Sequence, residues 1–194
     1  GRAPNFIVPT GNLGNALACI WARECGLPIG EIVLASNANL TVPEFLQSGE
    51  WRPRPSVATL ASAMDVGNPS NMERLRWLFP AVEQLRGKVS AVAVDDDAIR
   101  AAIRRDYREL GQTWCPHTAT AAHAWRGLPP ERRKERWVLV ATAHPAKFND
   151  IVEPLIGAEV PVPPPLAALL QLPSVQTEVE PSLEALRAVL GERA

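Results

Sequence analysis

Lysine is scarce in this chain: of its 20 basic residues only Lys88, Lys134 and Lys147 are lysines, and the rest are arginines. Neither charge sign is in excess, because 20 basic residues face 21 acidic ones for a net charge of −1. Nucleic acid and membrane surfaces both call for a concentrated basic face, so neither is an expected partner. Cysteine is sparse as well. Cys19, Cys25 and Cys115 form no CxxC pair and leave one thiol over, which argues against a disulfide framework and against a zinc site. No apolar run reaches the roughly eighteen residues of a membrane span, and the opening GRAPNFIVPTGN has neither region of a secretory signal. A cytoplasmic location is the expectation.

What is there suits a packed core: 194 residues, 46% hydrophobic and 21% charged. Asn5-Phe6-Ile7-Val8 reads as a buried strand that starts with almost nothing before it, so a missing upstream part is expected. A Gly-rich turn, Gly11-Asn12-Leu13-Gly14-Asn15, leads into a helix over residues 16–25, and Glu31 to Ser36 reads as a second strand, giving one βαβ unit with parallel pairing. Residues 37–71 have few periodic apolar positions and read as a long irregular passage. A helix starting at Asn71, capped by Ser70 or Asn71, a strand over 89–94 and a helix over 98–110 follow. The run Asp95-Asp96-Asp97 is expected to cap that helix and offset its dipole; nothing nearby completes a cation site. Further on come a short helix over 118–125, a solvated turn over 131–136, a strand over 137–142, a turn and helix over 145–156, a Pro-rich strap at 161–165, and a helix over 182–191. The alternation places the chain in the α/β class. Residues 1–160 are expected to form the domain that carries the phosphate loop, and residues 161–194 a strap and terminal helix.

Three clusters carry candidate chemistry. Glycines at 11 and 14 let backbone N–H groups approach a ligand at a helix N-terminus, where the dipole favours an anion such as phosphate, and Asn12 and Asn15 add amide donors. The GxxG spacing matches neither a dinucleotide fingerprint nor a P-loop, and a ligand-free packing turn remains an alternative. Thr142, His144 and Lys147 follow a strand whose carboxyl end opens on a crevice; Thr142 closing the strand and His144 being a satisfied imidazole is the competing reading. In Cys115-Pro116-His117-Thr118, the threonine can cap the next helix, and a Cys/His nucleophile lacks a third orienting group.

In order along the chain, VPTGNLGNA at residues 8–16, AMDVGNPSNMER at 63–74, PHTA at 116–119 and ATAHPAKF at 141–148 resemble the carboxyl-terminal half of threonine synthase. The resemblance runs from residue 5 to about 172. It implies the three-layer α/β fold of the tryptophan-synthase-β group (PLP fold type II), a mostly parallel sheet with helices on both faces, incomplete here because the amino-terminal half is missing. It implies pyridoxal 5'-phosphate as cofactor and conversion of O-phosphohomoserine and water to L-threonine and phosphate. Gly11, Asn12, Leu13, Gly14 and Asn15 would hold the cofactor phosphate, and Thr142 would face the pyridine nitrogen. Leu13 departs from the family's more usual aromatic at that position. The family's Schiff-base lysine lies upstream of the phosphate loop, so this chain offers no catalytic lysine; Lys147 belongs to a different motif. Lys147, His117 and His144 would instead receive the substrate phosphate. The expected state is a fragment inactive by itself, prone to self-association or paired with a missing amino-terminal half. Another elimination on the same fold, or a non-catalytic phosphate-binding domain, are the alternative readings.

Overall fold

In the computed structural model, residues 3–191 are described. The chain divides into two compact units, one ending at Val160 and the other beginning at Pro161.

The first unit is built on a four-stranded sheet of order β3-β2-β1-β4, comprising β1 (Asn5–Pro9), β2 (Ile32–Ser36), β3 (Val89–Ala93) and β4 (Trp137–Leu139). Every pairing is parallel: Ile7 aligns with Val33 on one side and with Leu139 on the other, and Leu34 aligns with Ala91. A parallel sheet buries both faces, which is why β2 is buried at all five positions of IVLAS. Alternate residues feed opposite layers. Val8, Ile32 and Leu34 pack with Leu17 and Ile20 of α1 (Gly14–Glu24), Phe45 of α2 (Thr41–Ser48), Leu75 of α3 (Met72–Leu78) and Leu85 of α4 (Val82–Arg86). Ile7, Val33 and Ala35 face the other way, against Ala121 and Ala124. Those two alanines lie on α6 (Pro116–Arg126), which follows α5 (Asp96–Leu110); small side chains let α6 sit close to the strands. The architecture is α/β with helices on both faces of a parallel sheet, as expected.

Several local readings hold with their physical cause. The Asp95 carboxylate accepts from the Ala98 N–H at 2.8 Å, so the acidic run caps α5, while Arg100 pairs with Asp97 at 2.9 Å. Others are corrected. The passage 37–71 is not all irregular, because it contains α2, whose Pro43 sits in the first turn where its missing N–H costs nothing. Asn71 precedes α3 but caps nothing with its side chain. The 131–136 run is not merely a solvated turn: α7 (Pro130–Arg133) forms, and Arg132 pairs with Glu31 and sits over the Trp137 ring at 5.7 Å. Strand β4 is shorter than its apolar run, since Pro9 at the end of β1 has no N–H to continue the ladder beyond the Val140-to-Ile7 bond. A 3₁₀ turn (Pro145–Phe148) then leads into α8 (Asn149–Ile156).

In the second unit, α9 (Pro164–Leu170) starts inside the Pro-rich run, with Pro at its first positions, and α10 (Leu183–Gly191) begins where the Ser182 hydroxyl accepts from the Ala185 N–H at 3.1 Å. No helix among the described residues is long and apolar enough to cross a membrane.

Candidate active site

The carboxyl ends of β1 and β4 open on a cavity of about 340 Å³. Its floor is the turn between β1 and α1. Leu13 there adopts φ 64°, ψ 6°, and it is the non-glycine residue with positive φ among the described residues. A left-handed leucine costs on the order of 1–3 kcal/mol. Complete burial of its side chain beside Val8 and Leu17 offsets roughly 2 kcal/mol of that. The left-handed residue leading into helical ones makes successive N–H groups converge. From Gly11 to Asn15, no backbone N–H donates to another described residue; the first helical bond of α1 comes from Leu17 to Leu13 O, at 2.8 Å. Unpaired donors that converge at a helix N-terminus are what an anion requires.

The two glycines do different things. A Cβ on Gly11 would strike the backbone of Met64, in the 3₁₀ turn Ser62–Met64, whereas one on Gly14 would meet nothing nearer than Asn71 Nδ2 at 3.7 Å. Gly11 is thus demanded by packing, whereas position 14, which lines the cavity, has room for a Cβ. The asparagines are also split. Asn15 also braces the loop itself, accepting from Thr10 Oγ1 at 2.9 Å and donating one amide N–H to Pro9 O at 2.7 Å, which leaves one side-chain N–H of those the sequence suggested for a ligand. Asn12 Oδ1 accepts from the Ser70 N–H at 2.7 Å, and Asn12 O accepts from Asn71 Nδ2 at 2.8 Å, which ties the loop to the GNPSN turn.

Thr142, Lys147 and His117 reach the same cavity, whose lining includes Met64 and Phe148. His117 is 3% exposed, and its Nε2 accepts from the Ala63 N–H at 3.0 Å. That bond places the proton of the neutral ring on Nδ1, a buried nitrogen with no hydrogen-bond partner among the described residues. Phe148 packs beside the ring with centroids 4.8 Å apart. His144, by contrast, is not brought to the cavity. Its Nδ1 accepts from the Ala146 N–H at 3.1 Å and caps the 3₁₀ turn, so its inclusion with His117 and Lys147 is corrected.

Cys115 caps α6, its sulfur accepting from the Thr118 N–H at 3.4 Å. Burial pushes this thiol up, but hydrogen bonding from His117 and Thr118 outweighs it and brings the thiol down to about 7. The Thr118 hydroxyl stands 3.4 Å from that of Thr142. Sequence reasoning missed this link because 24 residues separate the two threonines; the Ala63–His117 bond spans 54.

A second depression, of about 520 Å³ beside α3 and lined by Trp51, Ser70, Glu73 and Trp77, contains none of the buried unpaired polar atoms among the described residues. The unpaired donors therefore favour the smaller cavity as the site.

The family described as "Threonine synthase, C-terminal" matches residues 118–190. The threonine synthase of Serratia marcescens is 41% identical over 184 residues, covering 94% of this chain and 42% of the relative. That of Escherichia coli is 38% identical over 185 residues with the same coverages.

The chain is similar over most of its length to threonine synthases, and its residues 118–190 match the carboxyl-terminal family model.

It corresponds to a carboxyl-terminal portion, spanning less than half the length of these relatives. The crystal structure of the E. coli threonine synthase superposes on all of this chain and 45% of its own, with TM-score 0.84 and 36% identity. A structure described as PLP-bound threonine synthase, from Brucella melitensis, superposes on 98% of this chain and 46% of its own, with TM-score 0.82 and 28% identity. A fungal L-serine ammonia-lyase from Rhizomucor miehei, at 15% identity and TM-score 0.55, shares the fold alone.

Proposed function

We propose that this chain supplies the phosphate-binding half of the active site of a pyridoxal 5'-phosphate-dependent threonine synthase, which converts O-phosphohomoserine and water to L-threonine and phosphate in the cytoplasm. The observation that carries the reading is the row of unpaired N–H groups from Gly11 to Asn15, which faces the same cavity as Thr142. The donor set suits the cofactor. A phosphate dianion takes several N–H donors at the positive end of α1, and a threonine hydroxyl at a strand end suits the edge of a planar heterocycle. The bound cofactor supplies the electron sink for carbon–oxygen bond cleavage.

This chain's own residues bind and orient. The N–H groups of Gly11, Asn12, Leu13, Gly14 and Asn15 hold the cofactor phosphate. Thr142 meets the ring nitrogen. Phe148 and Met64 help exclude water from the ring's surroundings. Lys147, with His117 beside it in the cavity lining, receives the substrate phosphate as a point charge. No lysine of this chain takes the Schiff-base role; an amino-terminal half provides it, either by completing the chain or as a partner.

The test is titration of the chain with pyridoxal 5'-phosphate, followed by absorbance and by competition with inorganic phosphate, then borohydride reduction and peptide mapping. Saturable binding that competes with phosphate and is lost in Gly14→Val is expected, without threonine formation and without efficient labelling of one lysine. Efficient labelling of one lysine together with threonine formation would overturn the fragment reading, and binding that survives Gly14→Val would overturn the loop assignment. With an amino-terminal half restored, turnover of O-phosphohomoserine in preference to serine or threonine separates this activity from other eliminations on the fold.

A further inference from the structure

Asn12 belongs to the loop that offers N–H groups to an anion, yet it also carries two oxygens that repel one: its backbone carbonyl and its side-chain Oδ1. The GNPSN turn covers both. Oδ1 accepts from the Ser70 N–H at 2.7 Å and from the Ser70 hydroxyl at 3.1 Å, and the carbonyl accepts from Asn71 Nδ2 at 2.8 Å. A further bond backs the turn, in which Arg74 Nη1 donates to Asn71 Oδ1 at 2.8 Å.

The direction of both Asn71 links is forced by the groups at their ends. A guanidinium only donates and a backbone carbonyl only accepts, so Asn71 must meet Arg74 with its oxygen and Asn12 with its nitrogen. A guanidinium, a side-chain amide and a peptide group then lie in series. The Asn12 carbonyl shares its peptide group with the Leu13 N–H, one of the unpaired donors of the loop. A cation that draws on the oxygen of one amide makes the N–H of that amide a stronger donor, and the effect repeats at the next group. No carboxylate among the described residues pairs with Arg74, so its charge is not neutralised locally.

We propose that Asn71 and Arg74 are positioning residues for anion binding: Asn71 covers the carbonyl of Asn12, and Arg74, acting through Asn71, strengthens the Leu13 N–H as a donor. Neither side chain lines the cavity, so both act through the loop and not on the ligand. This role rests on the reading of Gly11 to Asn15 as the phosphate cradle.

Titration of the nitrogen-15-labelled chain with inorganic phosphate, followed through its backbone amide resonances, reads the affinity and the donors engaged. Arg74→Met is expected to weaken phosphate binding about three- to fivefold and Asn71→Ala about tenfold. Arg74 is exposed, so its replacement should leave the melting temperature within about a degree of the parent's. In the Asn71→Ala background, Arg74→Met should cost nothing more, because the link through which it acts is already cut. The Leu13 amide proton of the phosphate-bound parent should lie downfield of its position in Arg74→Met. Arg76→Met removes the same charge from the same helix, at a residue with no hydrogen bond to the loop among the described residues, and should bind phosphate as the parent does. Parent-like affinity in Arg74→Met overturns the proposal. So does an equal loss from Arg74→Met with and without Asn71, or an equal loss in Arg76→Met, since either would leave Arg74 as a general charge. A parent without phosphate-induced shifts at residues 11–15 overturns the loop assignment and the role of both residues together. A parent that binds phosphate but not pyridoxal 5'-phosphate overturns the cofactor reading alone, and the phosphate series still decides the roles of Asn71 and Arg74.

Discussion

A Cβ on Gly11 would lie 2.5 Å from Met64 Cα and 2.7 Å from Met64 O, so the Gly11-to-Asn15 loop and the 3₁₀ turn that walls the cavity touch backbone to backbone. Neither side of that contact can yield by rotating a side chain. Gly11→Ala is therefore expected to destabilise the protein by roughly 3 kcal/mol, read as a drop in the urea midpoint. Gly14→Ala should change stability by less than about 0.5 kcal/mol, since its nearest neighbour is at ordinary contact distance. Equal losses in the two variants would refute the division of labour between the glycines.

Asp65 organises the long passage before α3. Its carboxylate accepts from Asn37 Nδ2 and Thr59 Oγ1, both at 2.7 Å, and from the Thr59 N–H at 3.0 Å. Asn39 joins the network and accepts from the Val57 N–H at 2.8 Å. Asp65→Ala leaves the amide of buried Asn37 short of its best acceptor, at a cost of about 2–4 kcal/mol. Limited proteolysis should then cut between residues 50 and 61 much faster than in the parent. An unchanged cleavage rate would show that the passage is held some other way.

Cys115 should make stability depend on pH. Its folded-state value of about 7 lies below that of an ordinary thiol, so the unfolded chain binds more protons through the interval between them. The contribution is complete above the unfolded value, near 9, and disappears as pH falls through 7. Relative to Cys115→Ser, the parent should gain about 2 kcal/mol between those limits. Thermal unfolding of both proteins across the interval checks the sign. Parallel curves would mean that the buried thiol does not ionise.

His144 and Lys147 are three residues apart and should behave differently. His144→Ala removes the cap of a short 3₁₀ turn, costing about 1 kcal/mol and leaving phosphate affinity unchanged. Lys147→Ala should weaken inorganic phosphate binding several-fold with little effect on melting temperature. Calorimetric titration of both variants distinguishes them, and a phosphate defect in His144→Ala would restore that residue to the site.

The α/β alternation, the β1 and β2 strands, the loop-to-helix turn and the Asp95 cap were all legible along the chain, because each depends on neighbours within a few residues. α2 was obscured by Pro43, whose penalty vanishes in a first turn, and β4 was overextended because its end is dictated by Pro9 of another strand. The use of Asn15 within its own loop was also hidden. An amide next to two glycines suggests a ligand donor, and only the fold of the turn shows it already bound to Pro9 and Thr10.

By itself, the sequence determined which residue types are on hand: a GxxG turn before a helix and four motifs in the order of one family. Tertiary structure decided which of them meet. It gave Gly11 to packing against Met64 and left Gly14 facing the cavity, set His144 aside as a cap, locked the tautomer of His117 through Ala63, and joined Cys115 to Thr142 through Thr118. The physical reason is range. Propensity, capping and dipole effects act over one helical turn and can be read in order, whereas a hydrogen bond between residues 24 or 54 apart exists only after the sheet has brought their backbones together.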